Sequence, residues 1–355
     1  MSPWGKDTLR HCGRSRRLPK PQQTTTTHMK HTLPRRTVLR SGALLSLSGL
    51  AGYPSIAGST EIEAESHEHE VETEILDVHQ YVASDDGFTA NAYLLETKEA
   101  VVAIDAPFLL PDARTFRGML DAIGKPLAAV FITHPHPDHY NGITVLSEGS
   151  DPLVYATSDV DEKIRETVDS IRQRWKPIYG DEYPTDITFP TELIEAGDTV
   201  SVGGLTMQVY DLGPGEAASN SVFTVENTAI AFTGDIILNR QHPFLGGGHS
   251  SEWLDQLNEL RGLLADVEVL YPGHGDPGMT VELLDYQAAY LMAYRGAVTD
   301  LAEGESKLGD TAESELEARM TRMLPNAGGQ PLIKLGADAV AAELAGAPIP
   351  PSPLE

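Results

Sequence analysis

The chain has 355 residues, 41% of them apolar, with 26 Lys and Arg against 52 Asp and Glu and a formal net charge of −26. That apolar fraction supports a packed core and excludes wholesale disorder. The length fits one large domain or two ordinary ones, and the acidity excludes binding to nucleic acid or anionic membrane through the overall field.

The first 58 residues run against the rest. They hold ten of the bases (Lys6, Arg10, Arg14, Arg16, Arg17, Lys20, Lys30, Arg35, Arg36 and Arg40) and one acid, Asp7. Residues 59–355 are left with 16 bases and 51 acids, a net charge of −35. Carboxylates at that density stay hydrated and repel one another less when salt screens them, so adaptation to high salt is expected. The single cysteine, Cys12, lies in the basic head, which excludes a disulfide framework, a thiolate metal site or a Cys nucleophile further on. Arg35 and Arg36, followed by Thr37, Val38 and Leu39, precede an uncharged run at 41–52 and the small residues Ala57, Gly58 and Ser59. A basic region, a short apolar run and a small-residue exit make an export signal, and the Arg-Arg-x-x-Leu order resembles a twin-arginine signal. The apolar run is too short to span a bilayer and no Cys follows it, so an exported, extracellular protein without a stable membrane anchor is expected. Met29 is an alternative start. Residues 59–74 read as an acidic, solvated linker, in which His67 and His69 could hold a metal only loosely.

From residue 75 the pattern changes. Strand-like runs at 93–96 and 100–104 lead into helical spacing at 111–123 and a short apolar run at 127–132. Further strands are expected at 153–156, 205–210, 221–225, 229–232 and 267–271, and helices at 158–172, 251–264, 280–294 and 312–323. Interleaved strands and helices predict a layered α/β protein with buried sheets. Residues 172–189 read as an aromatic loop, with Trp175, Tyr179 and Tyr183, that could wall a pocket or simply pack on the surface. Residues 297–355 read as an acidic extension rich in Ala, Gly and Pro, with one or two helices.

The chemistry concentrates at residues 133–142, THPHPDHYNG. Pro135 and Pro137 stiffen a loop leaving a strand, which lowers the entropy lost when several side chains converge on one point. His134 and His136 could face one point, while Asp138 and His139 are free to serve a second. Imidazole and carboxylate together suit zinc and similar divalent ions. Three more strand ends carry metal-capable residues: Asp105 after 101–104, Asp235 in AIAFTGD, and His274 in VEVLYPGHG. In the last two a glycine permits close backbone approach.

This set, an HxHxDH loop with a later Gly-Asp and a final Gly-His, resembles the metallo-β-lactamase fold superfamily over residues 75–296. The resemblance implies an αββα sandwich with one or two metal ions between the sheet edges. It implies His134 and His136 on a first metal, Asp138, His139 and His274 on a second, and Asp235 bridging them. It also implies that Asp105 supports the metal loop without being a ligand. One motif departs. A Gly-His is expected between the loop and the Gly-Asp, but the matching stretch 212–222, LGPGEAASNSV, has Glu216 in that place. Either Glu216 is an oxygen ligand of the first metal, or that site is weak and only the second binds. A carboxylate there weakens Lewis acidity relative to three histidines and admits manganese or iron beside zinc.

The resemblance implies hydrolysis of an ester, lactone, thioester or amide (β-lactam-like) bond in a small molecule. Asp138 is expected to orient water or accept its proton, with Asp235 as the second catalytic carboxylate. Asn220, Asn239, His242 and His249, with Trp175 and Tyr179 from the aromatic loop, are candidate substrate contacts. An iron-dependent sulfur oxidoreductase of the same fold, and a non-catalytic metal-binding protein, are the alternatives.

Overall fold

The computed structural model describes residues 75–352; the basic leader, the linker with His67 and His69, and the export motif lie outside the described residues. Strands β1 (Asp77–Val82), β2 (Asn91–Glu96), β3 (Val101–Ile104), β4 (Leu127–Phe131), β5 (Leu153–Thr157) and β6 (Glu192–Ile194) lie side by side in that order. The first three pair antiparallel and the rest parallel. Parallel neighbours need crossovers, and helices supply them. Helix α1 (Leu110–Ile123) joins β3 to β4, the short α2 (Pro137–Tyr140) and α3 (Ile143–Leu146) join β4 to β5, and α4 (Ser158–Tyr179) leads towards β6.

The second sheet runs β12 (Gly278–Met279), β11 (Val269–His274), β10 (Ile230–Leu238), β9 (Asn220–Val225), β8 (Leu205–Gly213), β7 (Thr199–Val202). Only its β10–β11 pair is parallel, with α5 (Ser250–Leu263) in the connection. Helices α6 (Thr280–Ala302), α7 (Asp310–Met323), α8 (Leu332–Leu335) and α9 (Ala337–Ala345) follow.

Alternation along each strand sets the layers. Tyr93, Leu95, Val102, Ile104 and Phe131 point at the second sheet and pack with Met207, Val209, Phe223 and Phe232. Their neighbours Leu94, Val101, Ala103 and Val130 point outward, against Phe116 of α1 and Ile164 of α4. The outer face of the second sheet, with Ala231 and Leu270, is covered by Trp253 of α5 and by Leu291 and Tyr294 of α6. Strands β2, β3, β4 and β10 are therefore buried on both faces, which is why they read as near-continuous apolar runs. The result is the expected four-layer αββα sandwich.

Two expectations change. Helix α4 continues seven residues past 172, through Pro177, so Trp175 and Tyr179 stand on a helix and not in a loop. Ile171 and Trp175, four apart, extend its apolar stripe onto Phe108 and Tyr183, and that burial outweighs the helix-breaking tendency of a proline in the last turn. The expected boundary at 296 falls inside α6. Leu316, Met320, Ile333 and Val340 from beyond it share one core with Tyr294 and Val298. Glu343 of α9 also accepts hydrogen bonds from Ser250 N (2.9 Å), Ser250 Oγ (2.6 Å) and Ser251 N (3.0 Å) at the start of α5, and is paired with Arg295. A carboxylate there meets the unsatisfied amides of a helix N-terminus. Among the described residues no helix is long and apolar enough to cross a membrane.

Candidate metal centre

The histidine loop leaves β4 and enters α2, where Pro137, with its fixed φ, stands at the helix start. Asp105, one residue past β3, organises it. Its backbone is left-handed at φ 60°. Its Oδ1 accepts from Thr133 N at 2.8 Å, and its Oδ2 accepts from Thr133 Oγ1 at 2.8 Å. The same Oδ2 lies 2.9 Å from His139 Nδ1, and Thr133 Oγ1 lies 2.9 Å from His134 Nδ1. Because the Thr133 hydroxyl donates to Asp105, its oxygen accepts from His134. Both histidines thus carry a proton on Nδ1 and aim Nε2 at the interior, and burial holds the His134 imidazole well below its ordinary range, so that its Nε2 is bare. Asp105 has the supporting position expected of it. Thr133 was not expected, although its place before the first histidine is the only signal it could give.

The second sheet supplies the other half. Glu216 sits in the loop between β8 and β9. Asn220 Nδ2 braces that loop through Gly213 O (3.1 Å) and Ala217 O (3.0 Å), and Gln256 Nε2 braces it through Leu212 O (2.8 Å). Asp235 does not end its strand, as expected, but lies within β10, just past a register shift at Gly234. Gly273 makes room for it: a Cβ there would lie 1.8 Å from Asp235 Oδ1. His274 closes β11 as expected.

These side chains converge. One ligand atom from each of His134, His136, Glu216 and Asp235 lies within 4.8 Å of the others, and the same holds for Asp138, His139 and His274. Glu216 Oε2 is 3.3 Å from His136 Nδ1 and 3.8 Å from His134 Nε2. Asp138 Oδ2 is 3.7 Å from both His139 Nε2 and His274 Nε2. Asp235 stands between the groups, with Oδ1 3.4 Å from His139 Nε2 and Oδ2 3.2 Å from His274 Nε2 and 3.9 Å from His134 Nε2. Asp105 with His134 and His139 forms a third such grouping, but its oxygens are spent on Thr133 and His139.

The donor set fits a divalent cation. His134 Nε2, His139 Nε2, Glu216 Oε2 and Asp235 Oδ1 are buried without a hydrogen-bond partner. Each such orphan costs about 1–3 kcal/mol, and bound cations between the two groups would account for all four. Glu216 is only 2% exposed, which removes the reading of a solvent-facing loop residue. Burial pushes its carboxyl above the usual range despite the nearby His136. Burial pushes His139 down, but Asp235, Asp138 and Asp105 outweigh it and carry the imidazole up to about 10. Burial also works against Asp235, which His274 and His139 nevertheless hold well below the ordinary carboxylate range. Without an ion, the cluster holds protons in place of positive charge.

A cleft opens over the cluster. His136, Asp138, Glu216, Asp235 and His274 line its floor; Phe88, Pro137, Trp175, Leu238, Phe244 and Leu332 line its walls, together with Gln241 and Gly329. Of the expected substrate contacts only Trp175 is there. Tyr179 packs edge-on against Phe108, ring centroids 5.5 Å apart. Asn220 has spent its amide hydrogens on the Glu216 loop. Asn239 donates to Asp276 O at 2.8 Å and fixes the turn after His274. His242 is buried, with Nδ1 2.7 Å from Tyr290 Oη. His249 stands before α5, where its carbonyl accepts from Trp253 N. Phe88, Phe244 and Leu332 carry no local sequence signal, because only the fold brings them over the histidine loop.

The architecture and the cluster agree with what comparison finds. A Hydroxyacylglutathione hydrolase of Erythrobacter litoralis is 22% identical over 202 residues, 56% of this chain and 67% of that protein. A beta-lactamase domain protein from Burkholderia ambifaria superposes with a TM-score of 0.56 at 17% identity, covering 79% of this chain and 90% of the other. A metallo-beta-lactamase family protein from Thermus thermophilus gives 0.55 at 20% identity, covering 76% and 94%. The family model of the Metallo-beta-lactamase superfamily matches residues 85–274, more than half of the chain. The match begins before Asp105 and ends on His274, so it takes in both halves of the cluster, and the chain belongs to the metallo-beta-lactamase superfamily.

Proposed function

We propose that the chain is a metal-dependent hydrolase of a small molecule, acting on an ester, lactone, thioester or amide bond. One observation carries this reading: buried, unpartnered ligand atoms from both sheets face one point beneath an open cleft. His134, His136, Glu216 and Asp235 would hold one ion, and Asp138, His139, His274 and Asp235 the other. The ion is zinc in the first instance; the Glu216 carboxylate also suits manganese or iron. Bound there, such a cation acidifies water and polarises a carbonyl oxygen.

The chain's own residues do the rest. Asp105 and Thr133 fix the Nδ1 protons of His139 and His134, so the Nε2 lone pairs stay aimed inward. Asp138, 13% exposed at the cleft floor, is placed to accept the proton of the attacking water and return it to the leaving group. Asp235 ties the two halves together through its two oxygens.

The test uses the full-length chain in concentrated KCl: metal content by elemental analysis, then turnover of ester, lactone, thioester and β-lactam substrates. A chelator should abolish turnover and added zinc should restore it. A fully metallated chain inert on every class would overturn the hydrolase reading. We also propose export through the Arg35-Arg36 motif, since the head is basic, carries a short apolar run and ends in small residues. The double substitution Arg35→Lys with Arg36→Lys should hold the protein in the cytoplasm; normal secretion would refute it.

A further inference from the structure

We infer that the cleft selects uncharged, apolar acyl compounds over anionic ones, and that Leu332 sets this preference from the C-terminal part of the chain. The inference rests on the hydrolase reading only for which bond is cut, not for what the walls will bind. Those walls are Phe88, Pro137, Trp175, Leu238, Phe244 and Leu332, with the uncharged amide of Gln241 as their one polar side chain. Phe88 and Trp175 meet edge-on, ring centroids 5.5 Å apart, as one aromatic side. Among the described residues lining the cleft there is no lysine or arginine. A carboxylate or phosphate entering would lose its water without gaining a cationic partner from the walls.

The floor adds to this. It carries three carboxylates, Asp138, Glu216 and Asp235. Two divalent ions would bring four positive charges against those three negative ones. A neutral imidazole in place of Glu216 would leave the floor one charge more positive. The residue that departs from the family pattern therefore lowers the attraction for anions at the place where the walls also offer none.

Leu332 reaches the cleft because its segment is clamped. His242 N donates to Gly328 O at 2.9 Å and Gly328 N donates to Arg240 O at 3.2 Å. Gly329 follows at φ +69°, where a Cβ would lie 2.5 Å from His242 O, so only glycine permits this approach. Ile333 is fully buried, and its carbonyl accepts from Tyr294 Oη. Leu332, half-buried between these anchors, is an apolar wall that can be exchanged without opening the core.

The experiment compares p-nitrophenyl butyrate with the p-nitrophenyl hemiester of succinate on the metal-loaded, full-length chain. The two share a leaving group and differ by a carboxylate. The neutral ester should be favoured about tenfold or more in kcat/KM, and kcat/KM should rise about fourfold per added acyl methylene until the cleft is filled. Leu332→Lys should narrow the preference at least about tenfold with metal content unchanged; Leu332→Ala should flatten the chain-length dependence. In parallel, the change in Trp175 emission on adding hexanol or hexanesulfonate reads binding without turnover, with Trp175→Phe as the blank. A selective response to hexanol with no ester turnover would count against ester hydrolysis and leave this inference standing. Equal use of both esters, equal binding of both ligands, or a preference unmoved by Leu332→Lys would overturn it.

Discussion

Asp105 Oδ2 lies 2.9 Å from His139 Nδ1, and the Asp105 backbone adopts a left-handed φ of 60° in the conformation that places it there. A non-glycine residue in that region costs on the order of 1–2 kcal/mol. Three hydrogen bonds to Thr133 and His139 offset that cost. Asp105→Asn tolerates the left-handed backbone but turns one accepting oxygen into a donor. Metal affinity should fall about 10–100-fold, read by competition with a chromophoric chelator, while circular dichroism stays unchanged. Unaltered affinity would show that His139 needs no such support.

His242 gives a pH signature away from the metal. Burial pushes its imidazole down to about 4, against a bond to the Leu324 backbone that favours the charged form. The unfolded chain, near 6.5, then binds the proton more tightly than the folded one. Stability is full above about 6.5 and is lost as pH falls from there towards about 4. Between pH 7 and 5 the loss from this group should be roughly 1–2 kcal/mol. Urea unfolding of wild type and His242→Gln at the two pH values checks it: the variant should lose less on acidification. Equal losses would mean that His242 titrates as freely folded as unfolded.

Glu343 joins the C-terminal helix to the start of α5. Glu343→Gln keeps the shape but removes the charge that Arg295 and the Ser250 and Ser251 amides share. A cost of about 1–3 kcal/mol is expected, seen as a lower urea midpoint with an unchanged slope. An unaltered midpoint would mean that the apolar contacts alone hold α9.

Much of this was legible from one sequence for a physical reason. Strands β2, β3, β4 and β10 are buried on both faces and stand out as runs, β8 alternates apolar with polar, and the HxHxDH loop lies within six residues. The last turns of helix α4 are hidden in the sequence because Pro177 is a strong local breaker, while the packing of Trp175 on Phe108 is set only by the fold. Strands β1, β6 and β7 are short and half exposed, with polar residues such as His79, Gln80, Glu192 and Ser201 that mask the alternation. A polar residue near a metal motif suggests chemistry, which is what makes Asn220 and His242 candidate substrate contacts in the sequence. Their hydrogen-bond partners, two loop carbonyls and Tyr290, are set by tertiary structure. The place of Leu332 over the cleft depends on the clamp at Gly328, for which no local signal exists.

The net charge of −26 predicts a response to salt. The Debye length is ~30 Å at 0.01 M and ~3 Å at 1 M, so carboxylate repulsion is felt across the molecule at low salt and quenched at high. Each 1 kcal/mol of relieved repulsion raises the Tm of a chain this size by about 2–4 °C. Thermal unfolding followed from 0.1 M to multimolar KCl should show a steady rise in Tm, and a flat curve would remove the high-salt adaptation.

Glu216, the buried carboxylate 3.3 Å from His136, is the residue on which the proposed first site depends. The most direct measurement is the metal content of purified wild type and Glu216→Ala by elemental analysis, with folding checked by circular dichroism. If Glu216 completes the first site, wild type holds about two ions per chain and Glu216→Ala about one. Identical metal content in the two proteins would contradict a ligand role for Glu216 and with it the two-ion centre described here.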